Sequence, residues 1–232
     1  FDIAVIGAGP GGYVAAIKAA QSGKRVALIE KELLGGTCLN CGCIPTKTLL
    51  ANADVVQKIK GAADFGITVG QVSFEYAKMK ERKDQVVSKI RSSLEGLILS
   101  NKITIIRGMA EFSDRNCLKV RGDEPCMVKA GKIIIATGSK PMDIPSLPCD
   151  HKKVFNSTSI LELTELPKSI VIVGGGYIGC EFASLFAGLG SSVTIVEALD
   201  SIVKLQGKTI SDSLSKAFKA KGVAIETNVA VK

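Results

Sequence analysis

Apolar positions mark out one unit of structure twice along this chain. Residues 3–6 (Ile-Ala-Val-Ile) form a short apolar run that predicts a buried strand. The turn Gly7-Ala8-Gly9-Pro10-Gly11-Gly12 follows, then an Ala-rich helical stretch to about Gln21, then Gly23. Arg25-Val26-Ala27-Leu28-Ile29-Glu30 predicts a second strand ending in a carboxylate. Shifted by 167 residues, the pattern returns. Ile170-Val171-Ile172-Val173 precedes Gly174-Gly175-Gly176-Tyr177-Ile178-Gly179, and the helix after it carries Ile178, Phe182, Leu185 and Leu189 on one stripe. Gly190 and Val193-Thr194-Ile195-Val196-Glu197 close the copy, and each glutamate stands 18 positions after the last glycine of its turn.

Between the copies, residues 45–60 read as a helix with Pro45 in its first turn and Leu49, Ala53 and Val56 on one face. Residues 73–99 read as a long amphipathic helix with Val86, Ile90, Leu94 and Leu97 at helical spacing. Short runs from Ile103 to Ala130, broken by Gly108, Gly122 and Pro125, suggest a small antiparallel meander. Ile133-Ile134-Ile135 reads as a buried strand ending in Ala136-Thr137-Gly138-Ser139, and Pro141, Pro145 and Pro148 mark a linker.

The glycine spacing has a physical meaning. The first glycine allows a tight turn, the second lets the backbone approach a pyrophosphate, and the third lets the helix pack on the strand. The helix N-terminus then offers N–H groups and its positive dipole end to the anion, and the terminal carboxylate accepts ribose hydroxyls. Glycines serving only as turns explain two matched copies poorly. The expected fold class is therefore α/β, with two tandem Rossmann-like dinucleotide-binding domains of three layers, the first carrying the antiparallel meander as an insertion. The expected division is 1–142, a linker at 143–166, and 167–232 as the beginning of the second domain. Glu197 favours NAD, because a carboxylate repels a 2′-phosphate and the following Ala198-Leu199-Asp200-Ser201 offers no arginine.

The net charge of +8 changes little. Lys78, Lys80, Arg82 and Lys83 alternate with Glu75, Glu81 and Asp84, which describes a solvated helix face and argues against nucleic-acid binding. No apolar run approaches the length of a membrane span, and the first residues read as an ordered core strand without a leader segment. Seven cysteines, an odd number, argue for a reducing compartment, and a cytoplasmic setting is expected.

Cys117, Cys126, Cys149 and Cys180 are scattered, but Cys38, Cys41 and Cys43 cluster in a glycine-bounded loop, Gly35-Gly36-Thr37-Cys38-Leu39-Asn40-Cys41-Gly42-Cys43. Cys43 falls at or near the opening of a helix, where the dipole favours a thiolate, and Lys47 adds a charge one turn on. Two thiols so placed suit disulfide exchange. Cys38-x2-Cys41 also has zinc-ligand spacing, though no second CxxC or CxxH pair accompanies it and no metal site is expected. Inert buried thiols and a thioredoxin-like CxxC are the other readings, disfavoured by the glycine neighbours and by the surrounding pattern.

Taken together, GAGPGG, GGTCLN-C-GCIPTK, ATGSKP and GGGYIGCEFA resemble the motifs of the pyridine nucleotide–disulfide oxidoreductases, and within that family its dihydrolipoamide-oxidising members. The resemblance covers essentially the whole chain. It implies FAD on Gly7, Gly9, Gly12, Glu30 and Lys31, with Gly36, Thr37, Lys47, Ala110, Thr137, Gly138 and Ser139 contributing. It implies NAD on Gly174, Gly176, Tyr177, Ile178, Gly179, Glu181, Glu197 and Val229. Cys43 would lie against the flavin and Cys38 would exchange with substrate, with Lys47 and Glu181 as an ion pair beside the ring. Cys41 departs from the family pattern and reads as a spectator. Tyr177 resembles the tyrosine that covers the nicotinamide pocket in glutathione reductases, which keeps a glutathione-type or mercuric reductase as the alternative within the family. A non-catalytic flavin- and NAD-binding redox sensor is the alternative from another class.

The resemblance further implies a homodimer and a partner bearing a lipoyl group, either an acyltransferase of a 2-oxo acid dehydrogenase complex or the carrier protein of glycine cleavage. It also implies that the NAD domain continues past residue 232, followed by a second FAD segment and a dimerisation domain whose His is the general acid/base. His151, the one histidine here, reads as a surface residue of the linker.

Overall fold

The computed structural model describes residues 1–142 and 144–231. They fall into two compact units, Phe1–Pro45 with Asp84–Lys140, and Thr46–Lys83 with the residues from Pro141 onward. The expected start of the linker at 143 and the final residue, 232, lie outside the described residues.

In the first unit, β1 (Ile3–Ile6), β2 (Val26–Glu30), β3 (Thr104–Arg107) and β7 (Lys132–Ile135) form a parallel sheet in the order β3-β2-β1-β7. Strand alternation sends Val5 and Leu28 to one face and Ala4, Ala27 and Ile29 to the other. The first face packs against Ala16 of α1 (Pro10–Gln21) and Val87, Leu94 and Ile98 of α4 (Tyr76–Ser100). The second packs against Leu118, Val120 and Val128. These come from an antiparallel sheet of β4 (Met109–Asp114), β5 (Cys117–Arg121) and β6 (Cys126–Lys129). With both faces covered, every residue of β2 is buried, which is why its sequence runs apolar without alternation.

Three details depart from the periodicity. Residues 104–107 leave the expected meander and pair in parallel with β2, so the antiparallel sheet starts only at Met109. The break is Gly108, where a side chain would lie 2.5 Å from the Arg121 carbonyl oxygen. On α4 the buried stripe is Val87, Leu94 and Ile98, whereas Ile90 and Leu97 are exposed. Two overlapping stripes share Leu94, and packing against β1 and β2 selects the one richer in deep contacts. Ile135, expected in a buried strand, is 65% exposed, because β7 is an edge strand and Ile135 is its last residue.

In the second unit β8 (Ser169–Val173), β9 (Ser192–Glu197) and β10 (Ala224–Thr227) are parallel in the order β10-β9-β8. Phe182, Leu185 and Phe186 of α5 (Tyr177–Leu189) build the core with Val193 and Ile195 and with Phe218 of α6 (Lys208–Ala220). Ile178, expected on the apolar stripe of α5, is exposed in the opening turn of that helix. Leu49, Ala53 and Val56 of α3 (Cys43–Lys60) complete the cluster, together with Ile160 and Leu161 from a 3-10 turn at Ser159–Glu162. Residues 46–83, placed by the sequence reading within 1–142, thus share a core with α5, as does part of the stretch read as linker.

A buried ion pair borders this core. The Lys83 side chain is 3% exposed and its ammonium lies 3.0 Å from the Glu162 carboxylate, which also receives Lys80 at 3.0 Å. Removing the carboxylate takes one ion-pair partner from a buried cation. Glu162→Ala is expected to lower unfolding free energy in urea by about 1–3 kcal/mol, and adding Lys83→Met should recover part of the loss. No recovery in the double variant would mean that the pair is not what stabilises this contact.

Candidate functional site

The repeat is reproduced bond by bond. Gly7 and Gly174 have φ of 97° and 105°, a left-handed backbone open to glycine. Gly9 and Gly176 are extended, with φ of −73° and −72°, and each opens its helix with no side-chain cap. A methyl at Gly12 would strike the Gly7 carbonyl, and one at Gly179 the Gly174 carbonyl, so helix and strand are in backbone contact at both turns.

The two glutamates complete the correspondence. The Ala8 N–H donates to Glu30 Oε2 at 2.7 Å and the Glu32 N–H to Oε1 at 2.9 Å. The Gly175 N–H donates to Glu197 Oε2 at 2.6 Å and the Leu199 N–H to Oε1 at 2.8 Å. Each carboxylate oxygen retains a lone pair. Each turn therefore presents a bare helix N-terminus and an oriented acceptor, the two features that a dinucleotide requires. Val229 lies beside the second acceptor, its N–H donating to the Glu197 carbonyl at 3.0 Å. Ala110 lies on β4, which is tied to the first acceptor by the Gly108 N–H donating to the Glu30 carbonyl at 2.9 Å. Lys31 is exposed and paired with Glu32 at 3.4 Å.

The first turn is enclosed further. Gly35 donates its N–H to the Ala8 carbonyl at 2.8 Å, and a methyl on Gly36 would lie 2.6 Å from Gly9 Cα. Ala136 and Thr137 border Gly7, and Thr37 Oγ1 donates to the Ser139 carbonyl at 3.4 Å. Gly138 follows in the left-handed region.

The cysteine segment is helical rather than a loop. Gly36–Cys41 forms α2, and Cys43 is the first residue of α3, with Gly42 between them. A methyl on Gly42 would lie 3.0 Å from the Thr37 carbonyl oxygen and 3.4 Å from Cys38 Cα, so the chain doubles back on Cys38 just before Cys43. Cys38 and Cys41 are half-buried and Cys43 is exposed. Asn40, which the sequence reading passed over, donates through Nδ2 to the carbonyls of Leu34 at 2.9 Å and Gly36 at 3.0 Å. Its Oδ1 accepts from Arg91 Nη1 at 3.1 Å. The sequence gives no signal for this, because the segment reads as a loop and Arg91 stands 51 positions away.

In the second unit Lys47 of α3 pairs with Glu181 of α5, and Tyr177 and Ile178 stand exposed at the opening of α5. Cys180, one turn into that helix, points its thiol at the Gly175 carbonyl at 3.5 Å. Burial, with the Glu197 and Glu181 carboxylates adding to it, pushes this thiol up to about 11. His151 is exposed beside Asp150, whose carboxylate accepts the N–H groups of Val154, Lys152 and Lys153 and is held down to about 2. Among the described residues no group of three His, Cys, Asp or Glu side chains could hold a metal ion, and no helix is long and apolar enough to cross a membrane.

A family model described as pyridine nucleotide-disulphide oxidoreductase matches residues 1–232. The chain belongs to that family. Among relatives of this chain, a dihydrolipoyl dehydrogenase of Chlamydia pneumoniae is 50% identical over 231 residues, covering 100% of this chain and 50% of the relative. The HOCl-induced flavoprotein disulfide reductase RclA of Escherichia coli has the same architecture, with a TM-score of 0.84 at 35% identity over 100% of this chain and 50% of that one. LpdA from Mycobacterium tuberculosis reaches a TM-score of 0.91 at 24% identity over 98% and 51% of the two chains, a likeness of fold. The chain spans about half the length of the curated relatives it matches.

Two tests follow from these turns. Gly12→Ala is expected to destabilise the protein by about 1–3 kcal/mol or more through overpacking. Gly11→Ala, with no atom within 4 Å of the added methyl, should be neutral or slightly stabilising. Equal urea midpoints for the two would refute the backbone contact. For Cys180, a thiol raised from 9.0 to about 11 stays protonated at neutral pH, and that protection is lost as pH climbs from 9 through about 11. Iodoacetamide at pH 8 should therefore label Cys180 about a hundredfold more slowly in the folded than in the unfolded protein. Mass spectrometry of a timed digest checks this, and comparable rates would contradict it.

Proposed function

We propose that this chain is the thiol-bearing half of a dihydrolipoyl dehydrogenase that oxidises a protein-bound dihydrolipoamide. In this reading the finer fold is two tandem Rossmann-like domains, with FAD on the first turn and NAD on the second. The observation that carries it is the docking of α2 on the first glycine turn. Gly36 touches Gly9 and Gly35 bonds Ala8, so a helix carrying a cysteine is fixed to the segment suited to a dinucleotide pyrophosphate. The 50% identity to a named dihydrolipoyl dehydrogenase supports the choice of substrate.

The chain's own residues fit FAD at the first turn, since Gly9 opens α1 with no side-chain cap and Glu30 presents a fixed acceptor. Gly7, Gly9, Gly12, Glu30, Gly36, Thr37, Thr137, Gly138 and Ser139 would hold it, with Lys31 and Ala110 at its adenosine end. Gly174, Gly176, Tyr177, Ile178, Gly179, Glu197 and Val229 would hold NAD. Bound there, FAD supplies two-electron transfer between thiols and NAD.

At the thiols the steps balance by exchange alone. A substrate thiolate attacks Cys38 Sγ of a Cys38–Cys43 disulfide, the S–S bond breaks, and Cys43 leaves as a thiolate. The second substrate thiolate attacks the substrate sulfur of the mixed disulfide, closing the cyclic product and releasing Cys38 as a thiolate. The protein then holds both electrons on its sulfur pair. Lys47 and Glu181 would set the charge beside the flavin ring. The setting is cytoplasmic, the assembly a homodimer, and the partner an acyltransferase or glycine-cleavage carrier bearing the lipoyl group.

A second reading, an NAD(P)H-dependent disulfide reductase of the glutathione or mercuric type, draws on the 35% identity to RclA and on the exposed Tyr177 at the second turn. Anaerobic titration of the complete protein with dihydrolipoamide separates the two. The expected result is a long-wavelength absorbance band that collapses on adding NAD and is missing in Cys43→Ser, with Cys38→Ser lowering turnover by about 10³-fold or more. A flavin spectrum indifferent to dihydrolipoamide would move the assignment to the reductase.

A further inference from the structure

We infer that Asn40 is a positioning residue for the sulfur pair, holding the helix that bears Cys38 in the conformation in which Cys38 and Cys43 close a disulfide, with Arg91 on α4 as its anchor. The inference rests on the disulfide role proposed above for Cys38 and Cys43.

α2 has little reason to form by itself. It is six residues long, below the length at which a helix sustains itself in water, and it opens at Gly35 with no side-chain cap. Thr37, Cys38, Asn40 and Cys41 are weak helix formers. Leu39 inserts one apolar side chain into the core, and on the polar side Thr37 bonds the Ser139 carbonyl while Asn40 makes three bonds. Its two N–H bonds reach the carbonyls of Leu34, which is 1% exposed, and of Gly36, which lies against Gly9. Its oxygen is met by Arg91. A primary amide supplies the combination that this position uses, donors toward two carbonyls and an acceptor toward a guanidinium. Aspartate would keep the acceptor and set a carboxylate against both carbonyls, and alanine would lose all three bonds.

The consequence for chemistry is an effective concentration. How strongly one thiol favours closure on the other depends on how firmly the backbone holds them in register. Gly42 already folds the chain back onto Cys38, and Asn40 fixes the other side of that contact by closing α2 on Gly36 and tying it to Leu34 before it and to Arg91 on α4. Loosening α2 lowers the effective concentration, so the disulfide becomes easier to reduce.

The test is equilibration of the complete protein in glutathione buffers, where oxidised glutathione and the dithiol exchange with the protein disulfide and two reduced glutathiones. Maleimide trapping and peptide mapping then score Cys38, Cys41 and Cys43 separately. Asn40→Ala and Asn40→Asp should each weaken the disulfide equilibrium about tenfold, a rise of about 30 mV in potential. Arg91→Ala, which leaves the amide's bonds to Leu34 and Gly36 in place, should shift it the same way by less and provides the answer if the Asn40 variants do not fold. The double variant Asn40→Ala with Arg91→Ala should shift it no further than Asn40→Ala, because both act along one path. Variants that lose thermal stability while keeping the wild-type equilibrium would overturn the inference and leave Asn40 a purely structural residue. Wild-type protein that forms no Cys38–Cys43 disulfide would overturn the disulfide reading itself, and the inference with it.

Discussion

The contact on which the rest depends lies between backbone atoms at the two glycine turns. Gly12 and Gly179 press their helices onto the carbonyls of Gly7 and Gly174 so closely that a methyl group has no room. That seating fixes the direction of α1 and α5, and with it the space into which their first N–H groups point. In the first unit it does more. With Gly9 bare, Gly36 comes down on it and Gly35 bonds Ala8, so the position of the cysteine helix is inherited from the turn. The placement of the cysteine helix and the direction of the first helical N–H groups are thus consequences of one steric fact.

The two sheets are finished differently. In the first unit the helices cover one face and the antiparallel sheet covers the other, and β2 disappears from solvent entirely. In the second, Val193 and Ile195 of β9 face the helices, while Val171 and Val173 of β8 are 64% and 44% exposed. The same strand–turn–helix unit therefore sits in two settings, one closed over by its own chain and one with an apolar strand open among the described residues.

What could be read from the sequence was whatever a single position enforces. A glycine that must admit a carbonyl, or a glutamate that must reach back to its turn, leaves a residue type at a fixed spacing, and the repeat at 167 residues came through intact. What stayed hidden was settled by partners remote in the chain. Leu94 belongs to two possible stripes of α4, and only the sheet beneath decides for Val87 and Ile98. Thr104–Arg107 looks like any short strand until β2 offers it an edge. The cysteine segment is short and, apart from Leu39, made of weak helix formers, so it reads as loop, and the bonds of Asn40 to Leu34, Gly36 and, 51 positions later, Arg91 are not legible in it. Lys83 looked like part of a solvated face, yet it is buried and paired with Glu162 on a distant 3-10 turn.

Glu30 and Glu197 are each held by two backbone N–H groups of their own turns. A glutamate side chain normally surrenders rotational freedom when it grips a ligand, and that loss subtracts from affinity. Here the freedom has already been given up during folding. In the proposed reading, a sugar hydroxyl arriving at either turn would meet an acceptor whose orientation is part of the main-chain architecture, as rigid as the strands that carry it.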